Sequence, residues 1–391
     1  MDIGGRTLAK ILKTFNEVFD GMLGEIPCAN TIDSWTLKCG LDSYKNAAKQ
    51  LEGRKYAEII DESMMIGSCK LALTLGVPAE HQGHALSHED TVVLGIETAK
   101  SFNAERITIA LKNASKRAGH DPEYVISDNA SVMKRGIMDA GYHHHLDVSH
   151  SLGMFMERVY KRAADFTEYT TCLADINAKH NMRPIAYILP PQQRSKARFI
   201  NMSTWVNWSK QIIDVYSNLT EEEKEITKFV PANASLIDEL DEVLSCVSYI
   251  EDVCKTKGLS VETSKLCIRH IKNTIMKGNE RMRLLASWFT EYLQSEVSWI
   301  GKHKHNVSSD IIESTFGIYK QRTSPNNLYG VTALVLVLPL IDKLAATSPT
   351  TLFKIRSGVE NYKVKDIKEW GETNLPKNLV VKRHKKLKRA I

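Results

Sequence analysis

The chain is poor in the features that would assign it quickly. It has no Cys-x-x-Cys pair, and its cysteines, at 28, 39, 69, 172, 246, 254 and 267, are odd in number. Neither a disulfide framework nor a structural zinc site is therefore indicated, and a reducing compartment fits. No apolar run is long enough to span a bilayer: the longest, Val331 to Leu340, is interrupted by Pro339 and reads as a buried helix or strand beside the core. There is no cleavable apolar segment at the N-terminus, no internal repeat and no extended low-complexity tract. Neither sign of charge dominates, since 52 Lys and Arg face 46 Asp and Glu, an excess of six that points only weakly to a polyanion partner. The basic residues gather instead at the end, where six of the eight residues from Lys382 to Arg389 are Lys or Arg. Such a tail touches phosphates or simply keeps the chain in solution.

At 391 residues the chain is long enough for two or three domains. Residues 1–55 carry a helical stripe from Leu8 to Leu23, a short helix capped by Thr31 that ends near Gly40, and another from about Asp42 to Leu51. They suit a helix-turn-helix module or a helical support, and their sparse lysines make no recognition face. Residues 56–150 change period. Tyr56 to Ile60 and Cys69 to Leu75 read as strands flanking a bend at Gly67, and Thr91 to Ile96 reads as a third. Glu97 to Phe102 reads as a turn, and Asn103 caps a helix that ends at Ala118. Tyr124 to Ser127 is a fourth strand, Ser131 to Ala140 a helix and Tyr142 to Leu146 a fifth strand.

From 151 to 300 the strand signals vanish. Long amphipathic helices replace them, at Ser235–Lys257, Ser260–Lys277 and Asn279–Trp299, and Thr220 with Glu223 makes a capping box. Residues 301–345 resume the α/β pattern, and 346–391 form a basic extension. Three antiparallel strands followed by α/β crossovers predict an α/β fold, a ribonuclease-H-like mixed sheet, interrupted here by an all-helical insertion. In that topology the first and fourth strands lie side by side.

Three acids then stand out. Asp61 ends the first strand, Asp128 ends the fourth, and Glu313 sits in a helix beginning near Ser308. Carboxylates on two neighbouring strand ends and one helix suit two Mg²⁺ or Mn²⁺ ions, hard cations that take oxygen ligands and catalyse in-line attack on a phosphodiester. Glu62 is the rival to Asp61, but strand alternation points it away. Asp310, one helical turn before Glu313, is the rival there and also suits the positive end of the helix. His143, His144 and His145 invite a zinc reading, yet consecutive strand residues alternate faces and cannot share one ion, so packing or DNA contact is preferred. Lys320 and Arg322 follow Glu313 as candidate phosphate contacts or plain exposed cations. Trp205 and Trp208 are candidates for stacking on a flipped base or for the core.

The motifs around these acids carry a resemblance. Ile60-Asp61-Glu62-Ser63, Leu94-Gly95-Ile96, Ser127-Asp128-Asn129-Ala130, Leu146-Asp147-Val148-Ser149-His150 and Ser309-Asp310-Ile311-Ile312-Glu313-Ser314-Thr315-Phe316-Gly317 occur in this order, and together they resemble a DDE transposase of a bacterial insertion sequence over residues 56–340. The resemblance implies that Asp61, Asp128 and Glu313 form the catalytic, metal-binding triad, with Asp147 and His150 as a supporting Asp-x-x-His element. It implies cleavage of element ends and strand transfer into target DNA, by a homo-oligomer on double-stranded DNA, in the bacterial cytoplasm at the nucleoid and away from membranes. Lys320, Arg322, Trp205, Trp208, Lys382, Arg383, Lys385 and Lys386 are then its candidate DNA contacts. A structure-specific nuclease and a non-catalytic DNA-binding protein that kept the fold are the competing readings.

Overall fold

A computed structural model describes residues 4–63, 65–193, 199, 202–323, 330–341, 356, 358–377 and 379–388. The chain divides into two compact units: residues 1–79, 86–144 and 309–391 in one, and residues 80–85 and 145–308 in the other.

The first unit is built on the strands β1 (Tyr56–Glu62), β2 (Lys70–Pro78), β3 (Val92–Ala99) and β4 (Val125–Ser127), and the sheet order β3-β2-β1-β4-β5 closes with β5 (His144–Leu146), where the chain passes to the second unit. β1 pairs antiparallel with β2, β2 antiparallel with β3, and β1 parallel with β4. This is the ribonuclease-H-like arrangement expected from the order of elements. β1 reads Tyr-Ala-Glu-Ile-Ile with all five residues buried, the run expected of a central strand covered on both faces. β3 extends through Glu97 to Ala99, where the sequence suggested a turn, because its pairing with β2 continues to Lys70 opposite Ala99.

Helices α1 (Gly5–Val18), α2 (Ala29–Lys45) and α3 (Ala47–Leu51) precede the sheet, and α4 (Ala104–Ala118) and α5 (Ser131–Ala140) connect its later strands. Asn103 caps α4 as expected, its side chain accepting from Arg106 N at 3.0 Å. Ile107 and Leu111 of α4 and Met133 and Ile137 of α5 pack with Ile60 of β1 and Val125 of β4. The expected break at Gly40 does not occur. α2 runs straight through it, because a Cβ there would stand 1.8 Å from the carbonyl oxygen of Leu336, so Gly40 is a close-approach residue and not a helix stop. The helix is further held by Ser43 Oγ donating to Pro339 O at 2.7 Å. The apolar run resolves as a buried 3₁₀ helix, Ala333–Leu340. No helix among the described residues is long and apolar enough to cross a membrane. α14 (Asp310–Arg322) packs beside β1, and the unit ends with helices Val364–Asn374 and Leu379–Lys388. Arg389 and the start of the basic extension, 346–355, lie outside the described residues.

The second unit is helical: α6 (Val148–Tyr160), α7 (Ala164–His180), α8 (Ser203–Val215), α9 (Glu221–Thr227), α10 (Phe229–Ala232), α11 (Ala234–Lys257), α12 (Val261–Asn273) and α13 (Glu280–Val297). One continuous core runs through these helices. The Thr220–Glu223 capping box forms, and Ser260 makes another with Thr263. The single helix expected over Ser260–Lys277 breaks at Thr274, whose hydroxyl bonds back to His270 O at 2.8 Å. The unit is wider than the 151–300 read from the sequence because its two ends pair with each other: Val148 N donates to Val307 O at 2.9 Å, and Tyr292 Oη donates to Leu146 O at 2.7 Å. Residues 80–85 join it through His81 N, which donates to Lys304 O at 2.8 Å, and through Glu80, which accepts from Lys304 N at 3.0 Å.

Candidate active site

The parallel ladder pairs Glu58 with Val125 and Ile59 with Ile126. Continued in the same register, Ile60 falls beside Ser127 and Asp61 beside Asp128. Asp61 and Asp128 therefore lie toward the carboxyl ends of two adjacent strands. Both are half-buried, on the border between the apolar sheet and solvent. Asp61 accepts its own neighbour's amide, Glu62 N, at 2.8 Å, and Asp128 accepts Ala130 N at 3.0 Å in a tight turn that leads into α5. Ser127, fully buried, bonds His144 Nε2 at 2.9 Å and so ties the end of β4 to the start of β5.

Glu62 follows Asp61 in β1. The strand continues through it, and its carboxylate pairs with Lys70 of β2. Glu313 and Asp310 both fall in the first turn of α14 and both are exposed. The next residue, Ser314, meets His88 Nε2 at 3.2 Å, and burial holds the His88 imidazole below its usual range and therefore neutral. Asp61, Asp128 and Glu313 thus sit on the elements expected for them, in one unit, with α14 beside β1. Among the described residues no group of three or more His, Cys, Asp or Glu is gathered closely enough to hold a metal ion. Asp61 and Asp128 are oxygen donors of the type a hard divalent cation takes.

Asp147 and His150 belong to the helical unit. Asp147 is fully buried and caps α6, accepting His150 N at 2.7 Å. The Asp-x-x-His element is therefore, first, the start of a helix. The three histidines part company: His143 is exposed, His144 is on Ser127, and His145 is buried between Glu296 Oε2 at 2.6 Å and His305 Nδ1 at 2.9 Å, stacked on Trp299 at 4.2 Å. Of its two alternatives Trp205 takes the core: it is 3% exposed and packs against Phe166 and Tyr169 among the helices. Trp208 is half-buried and donates to Ile188 O at 3.0 Å. Lys320 is exposed, its ammonium 5.8 Å from the Phe316 ring, and Arg322 is half-buried. Lys382, Arg383, Lys385 and Lys386 are exposed on the last helix.

Two polar features escaped sequence reasoning. Glu296 and His305 are distant from His145 in the chain, and nothing local marks them as its partners. Glu58 lies fully buried in β1, and burial pushes its carboxyl up to about 8. A charged residue inside the apolar run Tyr-Ala-Glu-Ile-Ile was the visible signal for it. No protein-family model matches the chain, and no curated protein matches it.

Proposed function

We propose that this protein is a DDE-type transposase that cuts DNA at element ends and joins them to a target, using Asp61, Asp128 and Glu313 with Mg²⁺ or Mn²⁺. The observation that supports the reading is the parallel pairing of β1, which carries Asp61, with β4, which leads into Asp128, and α14, which carries Glu313, packed beside β1. Asp61 and Asp128 would hold the cations, and Glu313 would complete the set by a shift of its exposed side chain as positive charge arrives. Bound there, two divalent ions supply charge stabilisation for the attacking and leaving oxygens of a phosphodiester. The residues' own task is to fix that charge at one point of the sheet edge and to let a DNA strand approach from solvent. Lys320 and the basic last helix are suited to phosphates, a sequence-independent attraction. The active form would be a homo-oligomer, since two ends and a target must be held at once.

The deciding experiment supplies pre-cleaved ends bearing a free 3′-hydroxyl, taken from DNA flanking the coding sequence, with supercoiled target and Mg²⁺. Covalent end–target products that disappear in D61A and E313A support transposition. Robust cleavage without joining would replace it with the nuclease reading. DNA binding with neither cleavage nor joining in Mg²⁺ or Mn²⁺ would leave a DNA-binding protein on a retained fold.

A further inference from the structure

Between β2 and β3 the chain makes a 3₁₀ turn, His88–Asp90, that is fixed by its own neighbours. Ser87 N and Oγ donate to Asp90 Oδ2 at 2.7 and 2.8 Å, and Thr91 Oγ1 donates to His88 O at 2.9 Å. The His88 ring is half-buried, and its Nδ1 is closed to solvent with no hydrogen-bond partner among the described residues. The ring therefore gives up water at one nitrogen and keeps a hydrogen bond at the other, between Nε2 and Ser314 Oγ at 3.2 Å. A hydroxyl donates or accepts, so that bond forms whichever nitrogen of the neutral ring carries the proton. The two residues are 226 positions apart, and a short, fixed turn is thereby tied to α14.

Ser314 follows Glu313, and the two stand exposed on α14 while Ile311, Ile312 and Phe316 are buried. Apolar packing is non-directional, whereas a hydrogen bond to a side chain on a fixed turn sets an angle. A long helix side chain ends roughly 6 Å from the axis, so a rotation of about 20° carries its carboxylate about 2 Å. That is a whole Mg²⁺–oxygen distance, ~2.1 Å, for an ion that demands near-ideal geometry. We propose that His88 is a positioning residue of the acidic site: through Ser314 it fixes the rotation of α14, and with it the direction in which Glu313 leaves the helix. The inference rests on the reading of Glu313 as a cation ligand. His88 acts through the helix and does not itself touch the cation.

Mn²⁺ titrated into the full chain and followed by calorimetry tests it, with E313A setting the size of Glu313's own contribution. H88A and S314A should each weaken Mn²⁺ binding about tenfold, the lower end of what an outer partner of a ligand contributes, and together they should cost no more than either alone. H88Q, whose amide nitrogen reaches about where Nε2 stands, should bind within about twofold of wild type. The melting temperature without metal should stay within about 3 °C of wild type in H88A, S314A and H88Q. Wild-type Mn²⁺ affinity in H88A and S314A, with E313A impaired, overturns the inference and leaves the reading of Glu313 standing. So does a loss in H88A that H88Q does not recover, which would make His88 a packing residue. Binding in E313A equal to wild type overturns the reading of Glu313, and the inference with it.

Discussion

Glu239 of the helical unit and Glu58 of the sheet unit are both buried carboxyl groups, and their surroundings differ. Glu239 Oε1 accepts Tyr160 Oη at 2.8 Å, and its Oε2 accepts Asn279 Nδ2 at 2.6 Å and Arg281 Nη2 at 2.7 Å. Arg281 is shared with Asp165 at 2.9 Å, which closes a network linking α6, α7, α11 and α13. Glu58 Oε1 accepts Tyr56 Oη at 3.3 Å, and its Oε2 has no hydrogen-bond partner among the described residues. In the helical unit, desolvation of charge is offset by pairing and serves to join helices. In the sheet unit, burial instead keeps the proton on a carboxyl in β1.

Four measurements would break or sharpen that contrast. The largest effect is expected at the sheet's open end: D61N should lower metal-dependent DNA cleavage by on the order of 10²–10³-fold, the usual loss when one group stabilising transition-state charge is removed, while leaving the melting temperature unchanged. E62Q should cleave as wild type, and equal losses in the two variants would show that the strand, and not Asp61, was damaged. Next, R281A should cost about 3 kcal/mol in urea unfolding, because it leaves Glu239 buried without its cation. A cost under about 1 kcal/mol, the worth of an exposed pair, would mean that the network does not join the helices.

Third, Glu58 makes a pH prediction. Its folded-state value, about 8, lies above the ordinary 4.5, so between the two the unfolded chain has lost this proton and the folded chain keeps it. The unfolded state binds fewer protons, and stability therefore falls as pH rises through that window, by about 1.4 kcal/mol per unit at most. The contribution levels off above pH 8. E58Q should remove this slope and be more stable than wild type near pH 8; parallel stability curves for the two proteins from about pH 5 to 8 would refute it. Last, T220A should cost about 1 kcal/mol through loss of its cap, with no change in cleavage.

Much of the architecture could be read in advance wherever the signal is local. The β1 run, the Asn103 cap and the Thr220–Glu223 box each depend on residues within a few positions of one another. The placement of Asp61 and Asp128 at neighbouring strand ends followed from two apolar runs each ending in an aspartate, once the strand order was inferred. What could not be read depends on distant approach. Gly40 resembles a helix stop until Leu336 is known to lie against it. His145 could not be assigned to packing or to DNA contact until Glu296 and His305 were seen to enclose it. Trp205 could not be assigned to core or surface until Phe166 and Tyr169 were seen around it. The third acid shows both sides: its helix was legible, but its distance from the other two was not.

The hydrogen bond between Val148 N and Val307 O has a consequence for how α14 reaches the sheet. Closing a flexible loop of roughly 160 residues costs about 3 kcal/mol more than closing one of five, from the logarithmic growth of loop entropy with length. A helical unit whose first and last residues are bonded together acts as a short staple: once it has folded, the chain leaves it beside the point of entry. The cost of bringing Glu313 to β1 is then borne by the helical core and not by the sheet.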